Sequence, residues 1–310
     1  MMQITLFGPF EVQRDGRPVM GLDARKTQEL LAFLLIQRSR AYSREFLAEM
    51  LWGERAPAQS KKYLRQTLWQ VHSALDGPSL AGDDASLLAV EGEWVRYNER
   101  CPVALDVAQF EDAYARAVGV AGCALDAPCV DALRQAAQLY RGDLLQGCYD
   151  DWCIFERERL QTMYLAMLDK LIDSCQAQGQ YERGLGYGAT ILRYDRAREG
   201  THRRMMQLYC LAGDRSSALR QYEQLVHALR EELDVEPSRR SVLLREQIRA
   251  DAFPVDPPPT GGSPGSPPSG PGPRQADPHT YLRYLHSSLL AMQQQIRQEL
   301  DVIELALSDA

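Results

Sequence analysis

The sequence predicts a mainly α-helical chain. An amino-terminal α+β domain spans residues 1–105, an all-α domain 106–252, a disordered Pro/Gly-rich linker 253–279, and a carboxy-terminal amphipathic helix 280–310. Three observations carry this. Strand-like alternation and hairpin turn signals are confined to residues 1–20 and 87–97. From Asp106 to Ala252 the apolar residues recur at helical spacing. Composition then breaks once: Pro254–Pro278 holds 10 of the 17 prolines and 5 of the 22 glycines, with Val255 and Ala276 its only apolar side chains. Such a stretch buries too little to offset its chain entropy.

The elements follow in order. Ile4, Leu6 and Phe7, then Phe10 and Val12, flank Gly8-Pro9 as strands, and Asp15-Gly16 marks a hairpin turn before Arg17-Pro18-Val19. A helix starts at about Ala24, capped by Asp23, with Thr27, Leu30, Leu31 and Leu34 on one face. A second starts after Ser43, buries Phe46, Leu47, Met50 and Leu51, and stops at Gly53. A third runs from near Pro57 to Leu75, with the stripe Leu64, Leu68, Val71, Leu75, and ends at Asp76-Gly77-Pro78. Two short strands, Leu87–Val90 and Trp94–Tyr97, meet at Glu91-Gly92.

Strands, three helices and a hairpin, in that order, make a winged helix. In that fold the third helix enters the major groove of DNA and the hairpin lies over the backbone or minor groove. Projected at 100° per residue, Pro57–Leu75 puts Gln59, Lys62, Gln66, Trp69 and Ser73 opposite the apolar stripe, with Arg65 and Gln70 on the flanks. Arg can bond guanine, Gln can bond adenine, and Lys neutralises phosphate. The predicted groove residues are Lys61, Lys62, Arg65, Gln66 and Gln70, with Arg25 and Lys26 at a helix start for phosphate and Arg96 on the wing. Trp69 either touches a thymine methyl or a sugar, or packs under the wing, with packing favoured. A polar face is also what any solvated helix shows, so local charge matters. The whole chain has 35 Lys/Arg against 42 Asp/Glu, net −7, which speaks against a generic polyanion binder. Between Arg25 and His72, however, nine Lys/Arg face four acids, net +5.

The helical region contains an echo at an offset of 34: Gly179, Gly184, Leu185 and Ile191 recur as Gly213, Ala218, Leu219 and Leu225. This period, with small residues where two helices touch, is tetratricopeptide-like. Two units, Gln180–Leu211 and Asp214–Arg245, are expected to stack behind a long helix Trp152–Gln178 that Asp151 caps. Tyr181, Tyr187, Tyr209 and Tyr222 read as core rather than a ligand cage. His202-Arg203-Arg204 reads as a solvated face rather than an anion site.

The runs "GLDARKTQELLAFLL" from Gly21, "YSREFLAEMLWGE" and "KKYLRQTLWQVHSAL" resemble the DNA-binding domain of SARP-type bacterial transcriptional activators. Leu139–Gln161 and Leu211–Ser238 resemble the bacterial transcriptional activator domain of the same family. The resemblance covers about Ile4–Arg249. It implies binding to double-stranded promoter DNA and recruitment of RNA polymerase. The chain departs from the family late in the third helix, where Gln70, His72 and Ser73 stand where relatives carry cations, and in the wing turn, Glu91-Gly92. Fewer cations mean fewer phosphate contacts, so binding is expected to need two protomers, a homodimer.

Several classes are excluded at this level. No GxxxxGK[ST] occurs, and no GxGxxG follows a strand. The five His are dispersed, and the seven Cys show no CxxC, so no metal, no cofactor and no enzymatic role is expected. Nothing resembles a membrane span or a signal peptide, which points to the cytoplasm. In the tail, Leu282, Leu285, Leu289, Met292, Ile296, Leu300, Ile303 and Leu307 follow heptad spacing with one stutter. A self-associating coiled coil is the first reading. Docking on the chain's own helical domain or on another protein are the alternatives.

Overall fold

A computed structural model describes residues 1–75, 86–101 and 103–253. The expected helix stop at Asp76-Gly77-Pro78, nearly all of the linker, and the tail helix with its heptad residues lie outside the described residues. The described residues form one compact unit.

Strands β1 (Met2–Thr5), β2 (Glu11–Arg14) and β3 (Arg17–Pro18) make an antiparallel meander. The β2–β3 turn is the two-residue Asp15-Gly16, with φ 50° and 77°. This is the left-handed pair that a tight hairpin needs, and Asp and Gly tolerate it. Helices α1 (Arg25–Ile36), α2 (Arg44–Trp52) and α3 (Pro57–Leu75) follow, and the last matches its predicted bounds. The Ser43 hydroxyl caps α2 by accepting the Phe46 N–H at 3.1 Å. A short strand β4 (Ala41–Ser43) joins the wing strands β5 (Leu88–Glu91) and β6 (Trp94–Tyr97) in the order β4-β6-β5. A last strand, β7 (Val103–Leu105), pairs parallel with β1 and leads directly into α4 (Asp106–Ala117).

A 3-10 turn at Gly122–Ala124 and six further α-helices complete the described chain. The helices are α5 (Ala127–Leu139), α6 (Asp151–Ala177), α7 (Tyr181–Tyr194), α8 (Glu199–Leu211), α9 (Arg215–Leu233) and α10 (Arg239–Arg249). The pairs α7/α8 and α9/α10 are the two expected units. Gly184 shows why the echo needs a small residue: a Cβ there would lie 2.9 Å from Leu208 and 3.3 Å from Cys175. Its counterpart, Ala218, is fully buried.

The strands, winged-helix helices and first body helices share one core, running from Met2 through Phe110, Leu133 and Leu171 to Leu208. Phe7 packs on Phe110 and Tyr140 with ring centroids 5.0 and 4.8 Å apart. The buried Asp106 carboxylate accepts the N–H groups of Leu6 and Phe7 at 2.8 and 2.9 Å. A smaller core, including Met206, Leu225 and Ile248, closes the last unit.

Several expectations are corrected. Asp23 does not cap α1: Ala24 holds the N-cap position, without a side-chain bond. Asp151 does not cap α6 either: it lies inside the first turn, behind Asp150. The Asp150 carboxylate is itself turned aside to the Lys26 ammonium at 3.2 Å. Phe46 is 45% exposed rather than buried, because it stacks along Tyr42 at the surface. The wing turn is Gly92-Glu93, one residue later than expected, since Glu91 pairs with Trp94. His202 is buried rather than solvated, and Arg203 and Arg204 are spent on Glu199 and on Asp169 and Asp173.

Candidate nucleic-acid interface

Helix α3 is anchored by Leu64, Leu68, Val71 and Leu75, each at most 5% exposed. That burial fixes the helix's rotation about its axis. Lys61, Lys62, Arg65, Gln66, Trp69 and Ser73 are therefore left on the exposed side. Trp69 is 68% exposed, so it does not pack under the wing. A large aromatic ring held in water has no folding reason to be there, but it suits contact with a sugar or a thymine methyl.

The cations divide into two groups. Among the described residues, Lys62 and Arg65 form no ion pair. Lys61 is paired to Glu45 at 2.9 Å and Arg96 to Glu91 at 2.9 Å, both at the surface. Such pairs are worth little and exchange readily for phosphate. Arg25 and Lys26 are held differently. Glu29 lies beneath them, 1% exposed, with Arg25 Nε at 2.6 Å and Lys26 Nζ at 2.6 Å. Lys26 also reaches Asp150, so it bridges α1 to the start of α6. Burial works against the Lys26 charge, but the two carboxylates outweigh it and raise its pKa. Lys26 therefore sits where a structural counter-ion is needed, whereas the Arg25 side chain stays 61% exposed. Gln70 is half-buried, with its amide oxygen accepting from the Thr27 hydroxyl at 3.3 Å.

The wing carries Trp94 and Arg96 outward and Val95 inward, the alternation that a half-buried strand requires. Sequence reasoning missed Trp94, which is 55% exposed beside the turn. The signal was available, since Trp94 and Arg96 share the outward face. Glu91 and Glu93 flank Gly92, so the tip itself is acidic.

The face cannot swing independently of the helical body. Arg38 bridges to Glu111 of α4 at 2.7 Å, Gln37 bonds Glu156 of α6 at 3.1 Å, and the rings of Phe33 and Trp152 meet edge to face at 5.3 Å. Among the described residues one acidic and thiol cluster, Glu29, Cys148 and Asp150, has its ligand atoms within 4.8 Å of one another. The Lys26 ammonium bridges its two carboxylates, and Arg25 supplies a second cation to Glu29. No helix among the described residues is long and apolar enough to cross a membrane.

Residues 105–249 match the family model for the bacterial transcriptional activator domain. Across 247 residues, or 80% of this chain, the sequence is 25% identical to the regulatory protein AfsR of Streptomyces coelicolor. The chain is thus similar to SARP-type bacterial transcriptional regulators, and its residues 105–249 match their activator domain. It spans about a quarter of the length of AfsR, 24%. Its fold is that of EmbR from Mycobacterium tuberculosis, solved in complex with a low-affinity phosphopeptide. The TM-score is 0.63 at 21% identity, over 82% of this chain and 66% of that one. The mainly helical, EmbR-like architecture agrees with the sequence expectation.

Proposed function

We propose that this chain is a SARP-type, cytoplasmic activator that binds promoter DNA sequence-specifically through α3 and the wing. The observation that carries this is the exposed stripe Lys62, Gln66, Trp69, Ser73, flanked by Arg65, on a helix whose rotation is fixed by four buried residues. Lys62 and Arg65 are free to meet phosphates and guanine edges, and Gln66 to meet adenine. Lys61, Arg25 and Arg96 add exposed positive charge around it. Lys26 and Gln70 act through their support of α1 and α6. The helical body, acidic at net −3 over Val107–Ala252, is a poor DNA surface. It serves RNA polymerase or a regulatory partner. A surface groove along α9 and α10, lined by Leu219, Tyr222, Val226 and Arg245, supports that role.

The test is a mobility-shift titration across salt, with the full chain and the DNA upstream of its own gene. A specific shift that Lys62→Ala with Arg65→Ala abolishes, while circular dichroism stays unchanged, supports the reading. No specific shift at any salt would leave a protein-interaction adaptor. Dimerisation through Leu282–Leu307 is part of the same proposal. Light scattering must then give a larger mass for the full chain than for a chain ending at Phe253, and equal masses per protomer would remove it.

A further inference from the structure

The β2–β3 hairpin folds back beside the carboxy-terminal end of α3. There Arg14, Asp15, Arg17, Val19 and Met20 line a cleft together with Ser73 and Ala74. Gly21, at φ 92°, lies beside Ala74: a Cβ on it would be in ordinary contact with the Ala74 methyl at 3.8 Å. Ser73 is the last member of the exposed α3 stripe. The cleft therefore continues that stripe, at the place where the sequence of α3 runs out of cations.

Two features mark the cleft as a place for an anion. Arg14 and Arg17 are directly opposite each other across the two-residue turn. Like charges in that position destabilise a hairpin. Among the described residues neither guanidinium has an ion-pair partner. Asp15, the acid of the turn, is held by the amino-terminal ammonium. Beside the pair Met20 is 75% exposed, an apolar contact of the kind a sugar ring can cover.

We propose that Arg14 and Arg17 form a second phosphate-binding cleft, which meets the DNA backbone on the groove rim opposite that met by Lys62 and Arg65. This rests on the DNA-binding reading above. From Lys62 to Ser73 the helix rises about 16 Å. The major groove is about 12 Å wide. A helix that long, with cations at both ends, reaches phosphates on both sides of the groove. The hairpin thus supplies the charge that Gln70, His72 and Ser73 do not.

The experiment is fluorescence anisotropy of the full chain on a labelled 30-base-pair duplex from upstream of its own gene, and on a scrambled duplex, from 50 to 200 mM KCl. Each lost phosphate contact lowers the slope of log affinity against log salt by about 0.9. Arg14→Gln with Arg17→Gln should flatten the slope by about 1.8, so affinity falls about 12-fold less across that salt range. Both duplexes should be affected alike. The single Arg17→Gln, at an exposed position, should show about half the slope change. Arg14→Lys with Arg17→Lys should keep the wild-type slope. Wild-type binding with an unchanged slope in both Gln variants overturns the cleft and leaves the DNA reading intact. Failure of the wild type to bind either duplex at 50 mM overturns both.

Discussion

The Asp106 carboxylate accepts the backbone N–H of Phe7 at 2.9 Å, across 99 residues of chain. Through the same oxygen it accepts the N–H of Leu6 at 2.8 Å. One side chain at the start of α4 thus satisfies the end of the first strand. Asp106→Ala leaves these buried donors without a partner. It is expected to cost about 2–5 kcal/mol, lowering Tm by roughly 5–15 °C. Asp106→Asn retains an acceptor oxygen and should lose less. Scanning calorimetry checks both, and a variant melting with the wild type would show that the strand end is held by other means.

His202 ties two helices together in its neutral form. Its Nε2–H donates to the Arg196 carbonyl at 2.9 Å, and Nδ1 accepts from the Gln221 amide at 2.7 Å. Burial holds its pKa below the ordinary 6.5. The unfolded chain therefore takes up a proton near pH 6.5 that the folded chain refuses. Stability from this residue is complete above pH 6.5 and is lost as pH falls through the folded pKa. The stability advantage of wild type over His202→Gln should shrink by up to about 1.4 kcal/mol per pH unit below 6.5. Urea titrations at pH 7.5 and 5.5 measure it, and a constant advantage would contradict the assignment.

Two glycines should respond to alanine in opposite directions. At Gly122 a Cβ would come within 2.6 Å of the Lys170 carbonyl oxygen and 2.9 Å of its Cα, both backbone atoms of α6. Gly122→Ala should destabilise by about 1–3 kcal/mol, the cost of overpacking. At Gly186, inside α7, nothing lies within 4 Å. Gly186→Ala should stabilise by about 1 kcal/mol through helix propensity alone. Denaturant midpoints of the two variants on either side of wild type are the expected result.

Trp69 separates folding from recognition. Being 68% exposed, its replacement by Ala should change stability by no more than about 0.5 kcal/mol. The same change should weaken the DNA shift, and duplex DNA should quench the indole emission of the wild type. A marked fall in Tm with unchanged binding would place the ring in the core instead.

Much of this was legible in the sequence where patterns are long. The 19 residues of α3 carry a complete apolar stripe, and its bounds follow from Pro57 and Leu75. The 34-residue echo exposed the hairpin units, because Gly184 and Ala218 are forced to be small by the helices facing them. Strands β4 and β7, three residues each, were not legible: three residues carry no period, and their partners are far along the chain. The caps failed for a related reason. Asp150 and Asp151 are equivalent by local rules, and only the Lys26 ammonium, 124 residues away, decides what the first of them does. At the candidate interface the sequence placed Lys62, Arg65 and Gln66 on the open face. It could not show that Gln70 would turn to Thr27, or that Arg14 and Arg17 would arrive beside Ser73. Those facts belong to tertiary structure.

The shared core running from Met2 to Leu208 has an electrical consequence. A basic window on the head and an acidic body joined by a loose hinge would average out as the parts tumbled. Joined through one core, they make a permanent dipole that turns with the molecule as a whole. If the DNA-binding proposal holds, such a particle meets its polyanion already oriented, basic end first.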